Sequence, residues 1–509
     1  MDKNLLLAVS LSILVYAAWF GFVEKRLKPP PPAAAVTDTA TTEQKPVIVA
    51  PSPKAAFAAS EAQKSGKDAT EAARLGQADV VIRSHGAAIV SWKFKGPRGV
   101  VELISNPAPG FFSTLPELAF RRAPALGRLI YEARRGETRI VKEFIAGSED
   151  ALPRLRLTIE NVGGVPVETD PWTLSLGPGL GTIPTEAEEN ASVTRSLGLL
   201  KGEGGLQGKV DVFEEPGDRP ADFRWLGVDN RYFLAAVLPT ANDFAKATAL
   251  ADHQVALTAK SATLAPGASR SWEVPFYVGA KGHTWLSRYK VGLERSIDFG
   301  FFAQLGRFVL KVLDYLHNVT GNWGWSIIIL TLMLQVVLFP LTYKSLKATS
   351  AMKRLQPEIA RLQQRYAKEP GKLNAETMEL YKKHGANPLG GCLPMLVQMP
   401  VFIALYNALR NAWELHGSSW ILWIHDLSAK DPYYVLPLVM GGLMFAQNKL
   451  NPAAGVDPAQ QKMMTFMPVI FTVMFLNFPS GLVLYWLTNS LVSTLQQLAL
   501  RDHFAAKTS

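Results

Sequence analysis

One cysteine, Cys392, stands in 509 residues, so an intramolecular disulfide is excluded. Set among apolar residues from Leu389 to Leu396, it reads as a small buried hydrophobe rather than a reactive thiol. Charge is missing where it would matter most. The apolar stretches Trp323–Leu341, Leu389–Leu409, Pro432–Asn448 and Met463–Leu500 contain no Asp, Glu, Lys, Arg or His. General acid–base catalysis needs such groups within reach of substrate. Metal-assisted hydrolysis needs His or carboxylate ligands, and ion-coupled transport generally uses an intramembrane ionisable residue. A Walker A loop is lacking too: Gly202–Lys209 has no trailing Ser or Thr. Ser480 has no histidine in the apolar stretches to activate it and reads as a turn residue.

What is present is uneven. Hydrophobic residues make up 48%, an ordinary soluble value, yet they concentrate in the final third. The length exceeds one ordinary domain, so a soluble part and a membrane part are expected. The net charge of +10 has a focus: Tyr343 to Gly385 carries ten Lys or Arg and four Asp or Glu. Such a block suits nucleic acid, anionic lipid or an acidic partner.

Leu5 to Val23 is an uncharged run of 19 residues, long enough to span a bilayer. It exceeds a usual signal-peptide core and no small-x-small site directly follows, so residues 1–24 read as an uncleaved anchor. Residues 25–77, with Pro29-Pro30-Pro31-Pro32 and few large apolar side chains, read as an extended, disordered linker. Residues 78–280 alternate with period two between turn residues (Asp79–Arg83, Ala87–Phe94, Arg139–Phe144, Arg154–Glu160 and Arg231–Leu238), which predicts an all-β sandwich able to bury its own core. Residues 281–321 predict an amphipathic helix, lying along a membrane interface or packed on the β domain.

Five further spans follow, at 322–342, 389–410, 432–448, 463–478 and 479–500, the last two separated by the turn Asn477-Phe478-Pro479-Ser480-Gly481. With the anchor they make six. Between the first two, residues 343–388 carry the basic block and an apolar stripe Leu355, Ile359, Leu362, Tyr366, then a break at Glu369-Pro370-Gly371. Leu373, Leu380 and Tyr381 can fold back, which predicts a helical hairpin with Lys353, Arg354, Arg361 and Arg365 on its basic exterior. A loop this short obeys the positive-inside rule and is cytoplasmic. Counting crossings places the N-terminus and the 501–509 tail in the cytoplasm and the β domain outside.

The spans carry neutral polar groups, among them Thr331, Gln335, Gln398, Asn407, Thr472, Thr488 and Asn489. In hydrocarbon each needs a hydrogen-bond partner or water. Singly they read as glue between helices; together they allow a wet, uncharged concavity. Spans of 16–17 residues reach about 24–26 Å, short enough to thin the bilayer locally. A polar groove in a thinned bilayer lowers the barrier to moving a hydrophilic tail across, without ATP.

Six motifs resemble the YidC/Oxa family of membrane insertases: Asn322-Trp323-Gly324-Trp325-Ser326, Asn387-Pro388-Leu389-Gly390-Gly391-Cys392-Leu393-Pro394, Gln398-Met399-Pro400-Val401-Phe402, Leu422-Trp423-Ile424-His425-Asp426-Leu427, Asp431-Pro432-Tyr433-Tyr434 and Phe478-Pro479-Ser480-Gly481-Leu482. They occur in order between Asn322 and Leu500. The anchor and large external domain resemble the Gram-negative form. The resemblance implies a multidomain inner-membrane protein: a five-helix core plus the anchor, and a periplasmic β-supersandwich like those of sugar-binding folds. It implies insertion and folding of membrane proteins, alone or with the Sec translocon, through a groove open to cytoplasm and lipid. Nascent membrane proteins, the Sec translocon, the ribosome and membrane lipid are the implied partners; no catalytic residue, metal, cofactor or specific nucleic acid is implied. The family's groove normally holds one positive residue, and the matching position here is Gln335, which can hydrogen-bond but not attract charge. Thr331 and Tyr485-Trp486 match other groove positions, and Gln398 and Thr488 complete the candidate set.

Two other classes compete. A channel or transporter needs a continuous pore, coupling residues or repeats. A carbohydrate-processing enzyme would use the β domain, with His85, His253 or His283 beside nearby acids.

Overall fold

The computed structural model describes residues 68–124, 128–187, 193–202, 208–240, 243–367, 369–385, 393–450 and 458–506. The expected anchor at 1–24, most of the expected linker and Cys392 lie outside them. The chain divides into two compact units, one running to residue 280 and including 285–296, the other comprising 281–284 and 297 onward.

Alternating apolar residues dictate the first unit. Arg154–Asn161 buries every second side chain, Leu155, Leu157 and Ile159 among them. It sits within a nine-stranded antiparallel sheet whose order is Val210–Val212, Arg195–Leu200, Phe223–Asp229, Phe233–Val237, Ser269–Ala280, Arg154–Asn161, Thr138–Ile145, Leu129–Arg135 and Arg121–Arg122. Two four-stranded sheets pack against it through aromatic contacts. Trp172, leading into Thr173–Leu176 of one small sheet, meets Trp272 of the large sheet edge-on at 5.6 Å. Trp92, in Ala88–Gly96 of the other, meets Phe276 at 6.3 Å. The expected sandwich is therefore present.

Its start needs correction. Thr70–Leu75, inside the expected linker, is a strand paired antiparallel with Ala78–Arg83. Gly76 at φ +63° makes the turn between them, and the Arg122–Glu71 ion pair holds the outer strand. This outer strand is held by backbone pairing rather than apolar periodicity, so nothing apolar announces it.

The outer face of the large sheet carries an ion-pair lattice: Arg156 bridges Glu143 and Glu273, and Arg139 bridges Glu132 and Glu160. Lys142 instead faces inward. It is fully buried and donates to the carbonyls of Gly86, Ala87 and Phe112 at 2.8, 2.8 and 2.5 Å. Burial drives its pKa well below the usual lysine value.

The single amphipathic helix expected over 281–321 is instead broken. It becomes α1 (His283–Arg288), a 3-10 turn Leu293–Ser296 and α2 (Ala303–Thr320). Lys290, Gly292 and Gly300 adopt positive φ at the breaks. Gly321, at φ +67°, ends α2, and Asn322 caps α3 (Trp323–Arg354), accepting from the amides of Gly324 and Trp325. A Cβ on Gly324 would lie 2.1 Å from Trp420, so only glycine allows the loop to pack there.

Helix α3 runs 32 residues and is, among the described residues, the helix both long and apolar enough to cross a membrane. It does not stop at the expected boundary of 342. Tyr343 to Arg354 continues it, since the lysines there are good helix formers and no breaker follows Pro340. The expected hairpin then appears as α4 (Gln356–Arg365) and α5 (Pro370–Lys383). Leu355 and Ile359 at the start of α4 pack on Leu380 and Tyr381 at the end of α5, so the two run antiparallel.

Then follow α6 (Leu393–Asn411), α7 (Val435–Leu450), α8 (Pro458–Phe475) and α9 (Ser480–Ala506). Helix α9 carries on through most of the segment expected as a tail. Their shared core includes Leu313, Ile327, Leu405, Met440, Phe475 and Val483. Their outer surface is apolar as well: Val336 and Val337 of α3 are 73% and 74% exposed, and Leu438, Ile470 and Leu495 point outward on α7, α8 and α9. So much contiguous exposed apolar area suits lipid, not water.

Candidate functional site

Neutral polar side chains inside the helical unit satisfy themselves in two ways. The threonines bond back along their own helices. Thr331 donates to the Ile327 carbonyl at 2.7 Å, Thr488 to Leu484 at 2.8 Å, and Thr472 to Pro468 at 2.7 Å. The amides reach across. Gln335 of α3 donates to Asn489 and, at 3.5 Å, to Ser493 of α9. Gln398 of α6 donates to the Tyr485 hydroxyl, and Gln447 of α7 donates to the Ser490 carbonyl at 2.9 Å.

Tyr485, Asn489 and Ser493 are four residues apart and so form one stripe of α9. Three helices reach that helix with amides. The result is a polar spine: Tyr485, Gln335 and Thr331 are buried, while Gln398, Asn489 and Ser493 are half-buried. The structure thus brings together Gln335, Gln398, Tyr485 and, one turn from Gln335, Thr331. Thr488 is buried but tied to its own helix. Trp486 lies in an aromatic cluster with Phe402, Phe475 and Phe471 at 4.8, 5.3 and 6.2 Å. Ser493 and Gln447 were not singled out from sequence; the spacing 485, 489, 493 was the available signal.

The other candidate cations lie in the hairpin region: Lys353 and Arg354 end α3, and Arg361 and Arg365 are exposed on α4. Of the histidines considered for an enzymatic site, His85 pairs with Asp68 at 3.1 Å and His253 sits in a turn at φ +54°. His283 gives its backbone amide to Glu414 at 2.6 Å.

The loop from 412 to 434 gathers one end of the bundle. Asn322 at the start of α3 donates to the carbonyls of Ser419 and Trp420. Asp431 accepts from the Leu436 amide at the start of α7, and the Ser480 and Gly481 amides at the start of α9 donate to Ala429 and Leu427. Within it Glu414 is enclosed: burial pushes its carboxyl up to about 7, and the Asp314 carboxylate adds to the rise. Burial also raises Asp314, against the hydrogen bond from Thr284 at 3.0 Å.

A β unit followed by a bundle that turns apolar side chains outward and pairs its amides inward defines an integral membrane protein with a large extramembrane domain. Residues 315–507 match the family model described as 60Kd inner membrane protein, and residues 131–312 match the YidC periplasmic domain. A membrane protein insertase YidC from Endomicrobium trichonymphae is 38% identical over 437 residues, 83% of each chain. One from Geobacter sulfurreducens is 44% identical over 296 residues, and one from Campylobacter jejuni 46% over 229; these matches span 56% and 43% of the relatives' lengths. A crystal structure of an active YidC insertase aligns with 85% of this chain and 94% of its own at 17% identity and a TM-score of 0.38.

The chain belongs to the YidC family of membrane protein insertases. It is an inner-membrane protein, and its β unit carries a periplasmic domain.

Proposed function

We propose that this insertase receives its guest polypeptides along the polar spine of α9, by exchange of hydrogen bonds. The observation that carries this reading is the pairing of Gln335 with Asn489 and Ser493 across α3 and α9. Neutral pairs between membrane helices are worth about 0.6 kcal/mol on average. A guest amide or hydroxyl that replaces one partner restores the bond it breaks, so opening the spine costs little. A buried ion pair would resist that exchange far more strongly.

The helix lengths support the rest of the proposal. Helix α7 has 16 residues, about 24 Å, and helix α8 has 18, about 27 Å. Set in a hydrocarbon core of about 30 Å, such helices favour local thinning. In this reading α3, α6, α7, α8 and α9 are the five core spans, and residues 5–23 supply the sixth. The basic hairpin and both termini face the cytoplasm, where the hairpin meets incoming chains, with the Sec translocon and the ribosome as partners.

Replacing Gln335 or Asn489 by Leu removes the exchangeable pair. Insertion of a single-span substrate with a polar external tail into liposomes should fall several-fold, while insertion of a purely apolar hairpin substrate changes little. Equal insertion of both substrates by the variants contradicts a working spine.

A further inference from the structure

The 412–434 loop carries a feature that the insertion reading leaves unused. Its interior is cross-braced: Asp426 accepts from the Gly417 amide and from the Ser428 amide and hydroxyl, and Trp423 Nε1 donates to Asp431 at 3.1 Å. Despite this, Leu422 is 74% exposed and Tyr433 is 68% exposed. Leu422 and Tyr434, which follows Tyr433 in the chain, hold left-handed backbone, at φ +53° and +58°. That conformation costs a non-glycine residue about 1 kcal/mol or more and persists only where surrounding structure imposes it. A rigid scaffold therefore holds apolar side chains outward at an energetic cost.

The position of the patch names its occupant. The loop sits where α3, α7 and α9 begin. There Trp325, in the first turn of α3, contacts Trp420 at 5.9 Å, and Trp423 lies 6.5 Å from Tyr433. Two to three turns further along α3 the outward side chains are Met333, Val336 and Val337, so the loop continues the lipid-facing surface at its end. Amphipathic aromatic rings at that level belong to the headgroup boundary of a bilayer.

We propose that Leu422 and Tyr433 wedge into the periplasmic leaflet, with the boundary between glycerol and acyl chain as their partner. The proposal rests on the bundle spanning the membrane. Its consequence is that the loop grips lipid at the ends of short helices and holds the periplasmic headgroups against them, which keeps the bilayer thin beside the spine.

The full chain, with Cys392→Ser as background, is labelled with bimane at Leu422→Cys, Tyr433→Cys or His425→Cys and reconstituted in phosphatidylcholine vesicles. His425 is an exposed residue of the same loop, so it controls for the dye's own affinity for lipid. The ratio of quenching by 5-doxyl lipid to quenching by aqueous iodide should be about fivefold or more higher at 422 and 433 than at 425. Equal ratios at all three positions overturn the wedge. Shielding of 422 and 433 from both quenchers also overturns it, since a second copy of this chain or another protein would then cover the loop.

Discussion

The two units solve opposite problems with the same kinds of residue. In the β unit apolar side chains point inward, and an arginine–glutamate lattice covers the outer face of the large sheet. In the helical unit Val336, Val337 and Ile470 point outward, and the amides of Gln335, Gln398 and Gln447 point inward. The inversion locates the lipid. It also shows that buried polarity does different work in each unit. Lys142 clips backbone carbonyls together, whereas the amides around α9 form neutral pairs between helices, the pairs on which the proposed exchange depends.

The largest effect that sharpens this contrast is expected at Lys142. Lys142→Met removes a donor from three buried carbonyls, of which Gly86 keeps the Thr114 amide at 3.2 Å, and each carbonyl left unpaired costs about 1–3 kcal/mol. The thermal midpoint of the β unit within the full chain, followed by hydrogen exchange in Ala88–Gly96 and Thr138–Ile145, should drop by several degrees. Retention of wild-type protection would mean that the clip is not structural.

Next is Glu414. Its folded carboxyl keeps a proton up to about pH 7, against 4.5 for the unperturbed group. The folded state therefore binds that proton more tightly than the unfolded one. The stabilisation is complete below about pH 4.5 and is lost as pH rises through 7, by about 3 kcal/mol. Glu414→Gln should flatten the pH dependence of the helical unit's melting in detergent over that window, while Asp314, whose carboxyl burial also raises, keeps its own contribution. An unchanged profile would remove Glu414 as its source.

Smaller still are Arg156→Ala on the exposed lattice, about 1 kcal/mol or less, and Gln335→Leu. The Gln335 variant should change the stability of the helical unit by only about 0.6 kcal/mol. A large loss of stability in Gln335→Leu would make the spine structural, like Lys142, and erase the contrast between the units.

Period two made most of the β unit legible: the strands expected at 79–83, 139–144 and 154–160 lie within a residue or two of those observed. That alternation also put Lys142 inward, between Ile140 and Phe144, but charge argued against reading it as buried. The Thr70–Leu75 strand had no apolar pattern to betray it. In the helical unit the apolar runs marked the helices, and the stripe from Leu355 marked the hairpin. Charge misled at Tyr343 to Arg354, where basic residues looked like a loop and are helix. In the 281–321 segment Gly292 and Gly300 were visible breakers that the apolar periodicity outweighed. For the site, composition showed which polar groups existed but not their partners. Threonine and glutamine look equally polar in a sequence. Only the backbone geometry shows that Thr331 and Thr488 turn back on their own helices while Gln335 crosses to Asn489.

The central claim is that guests exchange hydrogen bonds with the α9 spine rather than sliding past its lipid-facing sides. Photoreactive side chains placed one at a time at Asn489, Ser493, Val337 and Ile470 during insertion of a stalled nascent chain test it most directly. Crosslinks to the nascent chain should form at 489 and 493 and be rare at 337 and 470. Crosslinking at 337 or 470 equal to or above that at 489 and 493 would contradict it.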